Sequence, residues 1–373
     1  MFKINYLGLL LVLLLLLNSG CSKTASPDLN NVNKTRVYYI AAEPVIWDFA
    51  PQGYNVFMGM PFDGNDSVYA VNSPSGPTPR IGSKNVAARY IEYTDSTFTT
   101  RKPIDSAWQH LGILGPAIRA VVGDSVVIHF RNRTNFHTTI HVHGLEYTAD
   151  NEGALYNNGS MGAGNDVAPG KSYTYRLFAR EESGPTANQP SSIAWLYHSH
   201  YYMDERDIYA GLTGAIIVTR RGMGGVDGKP KDVDREFVTL FFIFNQNASA
   251  LLDSSTQVFC PGFTNPNPDD FTESNKKHAI NGMIMGNLPG LTMNRGERVR
   301  WYLMALGNEV DLHTPHWHGN IVTSNGTHTD VVSLLPAEML VADMVPDNPG
   351  TWGFHYHVSD HMVAGMSAVY TVK

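Results

Sequence analysis

Gly115-Pro116-Ala117-Ile118-Arg119-Ala120-Val121-Val122-Gly123-Asp124 precedes a strand-like run and then His141-Val142-His143-Gly144. The same order returns where Pro289-Gly290-Leu291-Thr292-Met293-Asn294-Arg295-Gly296-Glu297 precedes a strand and then His316-Trp317-His318-Gly319. Each copy closes on a second pair, His198-Ser199-His200 in the first and His355-Tyr356-His357 in the second. Self-similarity of this kind marks a duplicated unit, so the chain reads as two copies of one domain. Gly222 to Gly228, rich in glycine after Arg221, is the expected linker.

Between these marks, short apolar runs rich in β-branched and aromatic residues are separated by Gly, Pro, Asn and Asp. Val37-Tyr38-Tyr39-Ile40, Val126-Val127-Ile128-His129-Phe130 and Gly214-Ala215-Ile216-Ile217-Val218 are the clearest strand signals. No long apolar pattern of period 3.6 interrupts them. The expected class is all-β, with a sandwich over 35–221, a linker over 222–235 and a second sandwich over 236–373.

The N-terminus carries Lys3, the apolar run Leu7–Leu17, and then Asn18-Ser19-Gly20-Cys21. That run is too short for a bilayer, which takes about 20 helical residues, so 1–20 reads as a secretory signal peptide. Cys21 after Ser19-Gly20 resembles a bacterial lipoprotein cleavage site, where the cysteine becomes lipidated. A lipid-anchored protein of the bacterial cell envelope is expected, with 21–34 as a polar tether. Cys260 is the one other cysteine, so the mature chain has no internal disulfide to form.

A chain of 373 residues with 43% hydrophobic content is long enough for two or three domains and is neither disordered nor membrane-embedded throughout. Its net charge of -7 argues against a nucleic-acid partner and is compatible with attracting cations. The 15 histidines say more, because most fall into the H-x-H pairs. On a strand, side chains alternate between faces, so each pair places two imidazoles on one face. One such pair is an ordinary accident of composition. Four at matched positions of a repeat point to metal, and they supply too many imidazoles for one zinc or one copper.

The last stretch, Phe354-His355-Tyr356-His357-Val358-Ser359-Asp360-His361-Met362-Val363-Ala364-Gly365-Met366, adds His361 and Met366 to the pair. Two histidines, a cysteine and a distant Met make a blue-copper site. Here Tyr356 stands between the histidines where that cysteine is needed.

With these residues the sequence resembles the multicopper oxidases, in the ceruloplasmin and hephaestin branch, over nearly the whole mature chain. The resemblance also rests on Trp47-Asp48, His110-Leu111-Gly112-Ile113-Leu114-Gly115-Pro116, Trp195-Leu196-Tyr197-His198-Ser199-His200, Asp207-Ile208-Tyr209-Ala210-Gly211-Leu212, Ile280-Asn281-Gly282 and Gly307-Asn308-Glu309-Val310-Asp311-Leu312-His313-Thr314. It implies tandem cupredoxin-like domains and a trinuclear copper cluster that reduces oxygen to water. His141 and His316 then look like ligands of the type 2 copper. His143, His198, His200, His318, His355 and His357 look like ligands of the type 3 pair.

The family's cluster sits between two kinds of cupredoxin domain. Ceruloplasmin-like chains close a ring of six domains, so a two-domain chain implies a homotrimer. In the family an electron enters at a type 1 copper. His313, His361 and Met366 match its histidines and methionine, leaving a degenerate site with Tyr356 at the cysteine. A phenol has a pKa near 10 and is a hard oxygen donor, so no blue copper is expected. Tyr356 is then either a core residue or a catalytic relay of single electrons as a transient radical. The first domain is no substitute, with Ser199 at the cysteine position and Leu212 near the methionine position.

Glu273-Ser274-Asn275-Lys276-Lys277-His278-Ala279 and Asp360 resemble the segments with which the family's ferroxidases bind ferrous iron. Glu273, His278 and Asp360 are hard or borderline ligands suited to ferrous iron or manganese. His137 lies one residue too far from His141 to match His313, and His110, His129 and His328 belong to no cluster and are read as structural or exposed. The leading expectation is a copper oxidase with oxygen and a reducing metal ion as substrates. Two others are a copper-binding or sequestering protein without turnover, and a copper nitrite reductase, whose enzymes are also two-domain trimers but keep a type 1 cysteine.

Overall fold

The computed structural model describes residues 33–156, 162–202, 205–263, 268–308, 311–357 and 362–373. The Leu7–Leu17 run, Cys21, Asp360 and His361 lie outside the described residues. Domain 1 contains β1 (Thr35–Asp48), β2 (Lys84–Tyr93), β3 (Ile118–Val121), β4 (Ser125–Asn132), β5 (His141–Val142), β6 (Ser172–Phe178), β7 (Ser192–His198) and β8 (Thr213–Thr219). Domain 2 contains β9 (Arg235–Asn245), β10 (Lys276–Ile280), β11 (Thr292–Met293), β12 (Val299–Ala305), β13 (Pro315–Trp317), β14 (Val322–Ser324), β15 (Thr327–Thr329), β16 (Met339–Met344), β17 (Gly350–Tyr356) and β18 (Ser367–Val372). The three strand signals named above fall on β1, β4 and β8. Helices among the described residues are short, the longest being the single eight-residue span Leu252–Phe259.

The two sandwiches repeat one another strand for strand. Domain 1 pairs a sheet of order β2-β1-β4-β6 with one of order β3-β8-β7-β5, and domain 2 pairs β10-β9-β12-β16 with β11-β18-β17-β13. Parallel and antiparallel contacts also match: β1 lies parallel to β4 as β9 does to β12, and β3 parallel to β8 as β11 does to β18. Domain 2 adds the hairpin β14–β15 beyond β16.

Burial along the strands shows how the domains join. β4 alternates buried and half-buried residues, as a strand with one face on its own core should. β8 and β12 are buried at every position. Their second faces pack into a shared core, in which Leu196, Ala215 and Ile217 of domain 1 meet Val238, Leu240 and Met304 of domain 2. Each sandwich keeps its own core besides this one.

A polar latch runs through the shared core. His110 is fully buried and its Nε2 accepts the Val238 N–H at 3.0 Å. Burial pushes its pKa down to about 3, so the ring stays neutral and can accept. Asn281 donates to the His110 carbonyl at 2.6 Å and to that of Val238 at 2.7 Å, while its Oδ1 accepts the Leu240 N–H. Gly282 follows at φ +72°, and a Cβ there would lie 2.6 Å from Ile113, so glycine alone fits this turn.

Candidate metal centre

The register of two short ladders assembles the histidines. His141 on β5 lies directly opposite His198 on β7, and His316 on β13 directly opposite His355 on β17. Because each strand carries its second histidine two residues on, four imidazoles gather at the end of each sandwich. In domain 1 the ring of His141 lies 5.3 Å from His143, 5.4 Å from His198 and 5.2 Å from His200. In domain 2 the ring of His316 lies 4.7 Å from His318, 5.2 Å from His355 and 5.0 Å from His357.

The glycine after each first pair has a shared reason. Gly144 and Gly319 have φ +74° and +72°, and a Cβ on either would run into Trp195 or Trp352 at 2.2 and 2.6 Å. Each tryptophan precedes the second pair on its own strand. The H-x-H-G motif is thus a strand end folded tightly over an indole, which fixes where both imidazoles point.

Hydrogen bonds set the rings for metal. His141 Nδ1 lies 2.6 Å from the Glu152 carbonyl, His198 Nδ1 2.9 Å from that of Ser199, and His355 Nδ1 2.7 Å from that of Tyr356. A carbonyl only accepts, so each Nδ1 carries the proton and each Nε2 is left with a lone pair, the arrangement metal-ligating histidines adopt. His143 and His198 bring Nε2 atoms within 3.1 Å, and His318 and His355 within 2.8 Å. Those separations suit two nitrogens sharing an ion at about 2 Å from each. Metal-capable triads follow: His141, His143 and His198 in domain 1, and His316, His318 and His355 in domain 2. Burial, reinforced by neighbouring imidazoles, pushes His143 down to about 4 and His198 well below the ordinary value. His141, His316 and His355 move the same way for the same first cause. These rings are therefore neutral donors at pH 7, as copper requires.

Both quartets face outward. His318 and His357 are exposed, and His141, His143, His200 and His316 half-buried. The two triads are drawn from one domain each. Phe57, on a loop of domain 1, sets its ring 5.7 Å from His355 and lines the domain 2 quartet, a contact that no sequence spacing announces.

Behind the second pair, Tyr356 is buried with its ring 5.4 Å from that of His313. Met366 is fully buried, and its carbonyl accepts the Tyr356 N–H at 3.3 Å. His313, Tyr356 and Met366 are thus brought together, and His361 lies outside the described residues.

Glu273 and His278 also sit near one another, with Tyr69 between them. The Tyr69 hydroxyl donates to Glu273 at 2.9 Å, and its ring lies 6.1 Å from that of His278. Burial alone would raise the Glu273 carboxyl, but hydrogen bonds from Lys276 and Tyr69 outweigh it and hold the pKa below the ordinary value. A cavity of about 560 Å³ opens here, lined by Tyr69, Asp270, Glu273 and Val363 among others. Tyr69 is not legible from motif spacing, since it comes from a helix of domain 1, whereas Asp270 lies on the same helix as Glu273 just outside the quoted motif.

The remaining histidines are single. His137 pairs with Asp166 at the surface, His129 stacks on Tyr39, and His328 is exposed.

Comparison with known proteins agrees with this geometry. Residues 107–222 and 261–373 each match a family model described as multicopper oxidase. The chain belongs to the multicopper oxidase family. It is 40% identical to human hephaestin over 91% of its own length and 29% of hephaestin, and 38% identical to mouse ceruloplasmin over 95% of its length and 34% of ceruloplasmin. The chain thus spans about a third of the length of these relatives. A crystal structure of a multicopper oxidase superposes with TM-score 0.56 at 21% identity, covering 91% of this chain and 89% of the other, which shows the cupredoxin-like fold. Membership of the family implies copper, and the two histidine clusters are where this chain can hold it.

Proposed function

We propose that the chain is a copper oxidase whose trinuclear clusters form between subunits of a homotrimer, domain 1 of one facing domain 2 of the next. The observation that carries this is the pair of matched, outward-facing quartets, each half of an eight-imidazole set. A symmetric ring closes such head-to-tail contacts without leaving a half-site open. His141 and His316 would hold the type 2 copper; His143, His198, His200, His318, His355 and His357 would hold the type 3 pair. Copper at these imidazoles would supply the four-electron reduction of oxygen to water.

The protein's own part is preparation. The Glu152, Ser199 and Tyr356 carbonyls lock three rings with Nε2 unprotonated, and burial keeps the donors neutral. Tyr356 fills the volume a thiolate would need, and a hard phenol beside His313 and Met366 does not make a blue-copper donor set. Ferrous iron or another reducing metal ion is the donor, taken up at Glu273 and His278 beside the cavity that Glu273 lines, and Asp360, outside the described residues, is assigned as a third ligand from its sequence motif alone. Export with a lipid anchor at Cys21 completes the proposal.

Tyr356 also favours a second reading, a copper-binding protein without turnover. Copper-loaded protein separates them. Three coppers per chain, a trimer by analytical ultracentrifugation and oxygen uptake with ferrous iron are expected. Three coppers without uptake, with ferrous iron, cuprous copper or a phenol as donor, would leave the binding protein. One copper or none, or a monomer, would end the cluster proposal.

A further inference from the structure

A second cavity, of about 450 Å³, lies on domain 1 between β2 and the segment running from Arg101 to Arg119. None of the candidate copper or iron ligands lines it. We propose that this cavity binds a small organic carboxylate carried on an apolar body, with Arg89 as the anion receptor.

The argument begins with the charges. Arg89, Arg101, Lys102 and Arg119 all line the cavity. Three of them are matched: Arg101 pairs with Glu43, Lys102 with Glu92 and Arg119 with Glu236. Arg89 has no carboxylate partner among the described residues. Its Nε and Nη2 donate to one neutral acceptor, the Leu114 carbonyl, at 3.2 and 3.0 Å. A guanidinium has five N–H donors, so three remain for a ligand. The Trp47 ring, 5.9 Å from its carbon, offers a cation–π contact and no countercharge.

Arg89 is also largely withdrawn from water, and burial pushes its pKa down from the ordinary value. Arginine does not give up its proton in that range, so the charge persists and an anion is what it lacks. Asp105 and Asp227 line the cavity but are turned to backbone: Asp105 accepts the Ala107 N–H at 2.9 Å and Asp227 the Lys229 N–H at 3.0 Å.

The remaining wall selects the ligand's body. Ile91, Ile104, Trp108 and Leu111 are apolar, and Arg119 stacks over the Trp108 ring at 5.2 Å, holding the indole in place. A volume of this size is in the ordinary range for small-molecule sites, roughly 300–1,000 Å³. A forked guanidinium and apolar walls lining one cavity recognise a planar carboxylate on a hydrophobic group better than a fully hydrated inorganic anion.

Isothermal titration of the copper-loaded full chain with benzoate tests this, with benzamide and inorganic phosphate as comparison ligands. One benzoate per chain is expected, with benzamide at least about tenfold weaker because a neutral amide leaves the charge unmatched. Arg89→Gln should weaken benzoate by at least about tenfold and leave benzamide unchanged, and Arg89→Lys should fall between. Equal binding of benzoate and benzamide, phosphate as tight as benzoate, or no benzoate binding up to about 10 mM, would each overturn the assignment. If Arg89→Gln does not fold by circular dichroism, the benzoate-to-benzamide ratio on the unaltered protein decides alone.

Discussion

In domain 1 the side chain between His198 and His200 is Ser199, whose hydroxyl accepts from Thr138 at 2.8 Å and donates to Asp207 at 2.6 Å. In domain 2 the corresponding side chain is Tyr356, a phenol ring set against His313 in the core that also holds Met366. The frames are the same: the Ser199 N–H donates to the Leu212 carbonyl as the Tyr356 N–H does to that of Met366. Thr138 precedes His141 by the offset at which His313 precedes His316, and Asp207 precedes Leu212 as His361 precedes Met366. One position is closed by a chain of hydroxyls ending on a carboxylate, the other by an aromatic ring beside His313 and Met366. On the opposite face of the same strands the imidazole quartets are alike. The inward face has diverged while the outward face has not, which is expected if only the outward face must meet its counterpart on another molecule.

The largest effect should come from breaking the outward face on one side only. His143→Ala/His198→Ala in domain 1 and His318→Ala/His355→Ala in domain 2 should each abolish copper-dependent oxygen uptake. If clusters bridge subunits, refolding the two variants together in equal amounts should restore activity at about a quarter of the interfaces, since an intact domain 1 meets an intact domain 2 by chance there. A cluster housed within one chain would restore none. Next in size is a gain. Tyr356→Cys puts a thiolate beside His313 and Met366, so if the proposed type 1 position is real, one further copper per chain and an intense blue absorption are expected. Ser199→Cys should give neither, because Thr138, Asp207 and Leu212 occupy the other donor positions; blue colour there would undo the comparison.

Much of this is legible in the sequence. The H-x-H pairs and their repeat are plain in the sequence, because imidazoles two apart share a face, and the fold sets the two pairs of each domain on neighbouring strands, β5–β7 and β13–β17. The Val126–Phe130 run is equally plain as a strand, and it forms β4. What could not be read was contact between distant segments with no shared chemistry. The near-continuous apolar run of β9 announces burial on both faces but not that its second partner is the β7–β8 face of domain 1. His110 reads from the sequence only as structural or exposed, and the fold shows which, its ring accepting a backbone N–H from the other domain. Thr138 and Asp207 stand at the offsets of His313 and His361, but a hydroxyl chain has no spacing motif of its own, and only the fold shows both closing on Ser199.

The smallest effects test the two fillings themselves. Asp207→Asn replaces the charged end of a buried hydroxyl chain, and losing a charge-assisted hydrogen bond there should cost about 1–3 kcal/mol in chemical denaturation, with copper content unchanged. Tyr356→Phe keeps the ring that packs against His313 and removes only the hydroxyl. If the ring is a filler, stability should fall by no more than about 1.5 kcal/mol and oxygen uptake should stay within about twofold. The carbonyl of residue 356, which orients His355, is untouched by this change, so copper binding should not move. A loss of uptake of tenfold or more with copper content intact would instead assign the phenol a part in carrying electrons, because the deleted oxygen is the only difference between the two proteins. In that case domain 2 would have replaced a thiolate by a second redox group, and the contrast with the closed hydroxyl chain of domain 1 would be one of function as well as packing.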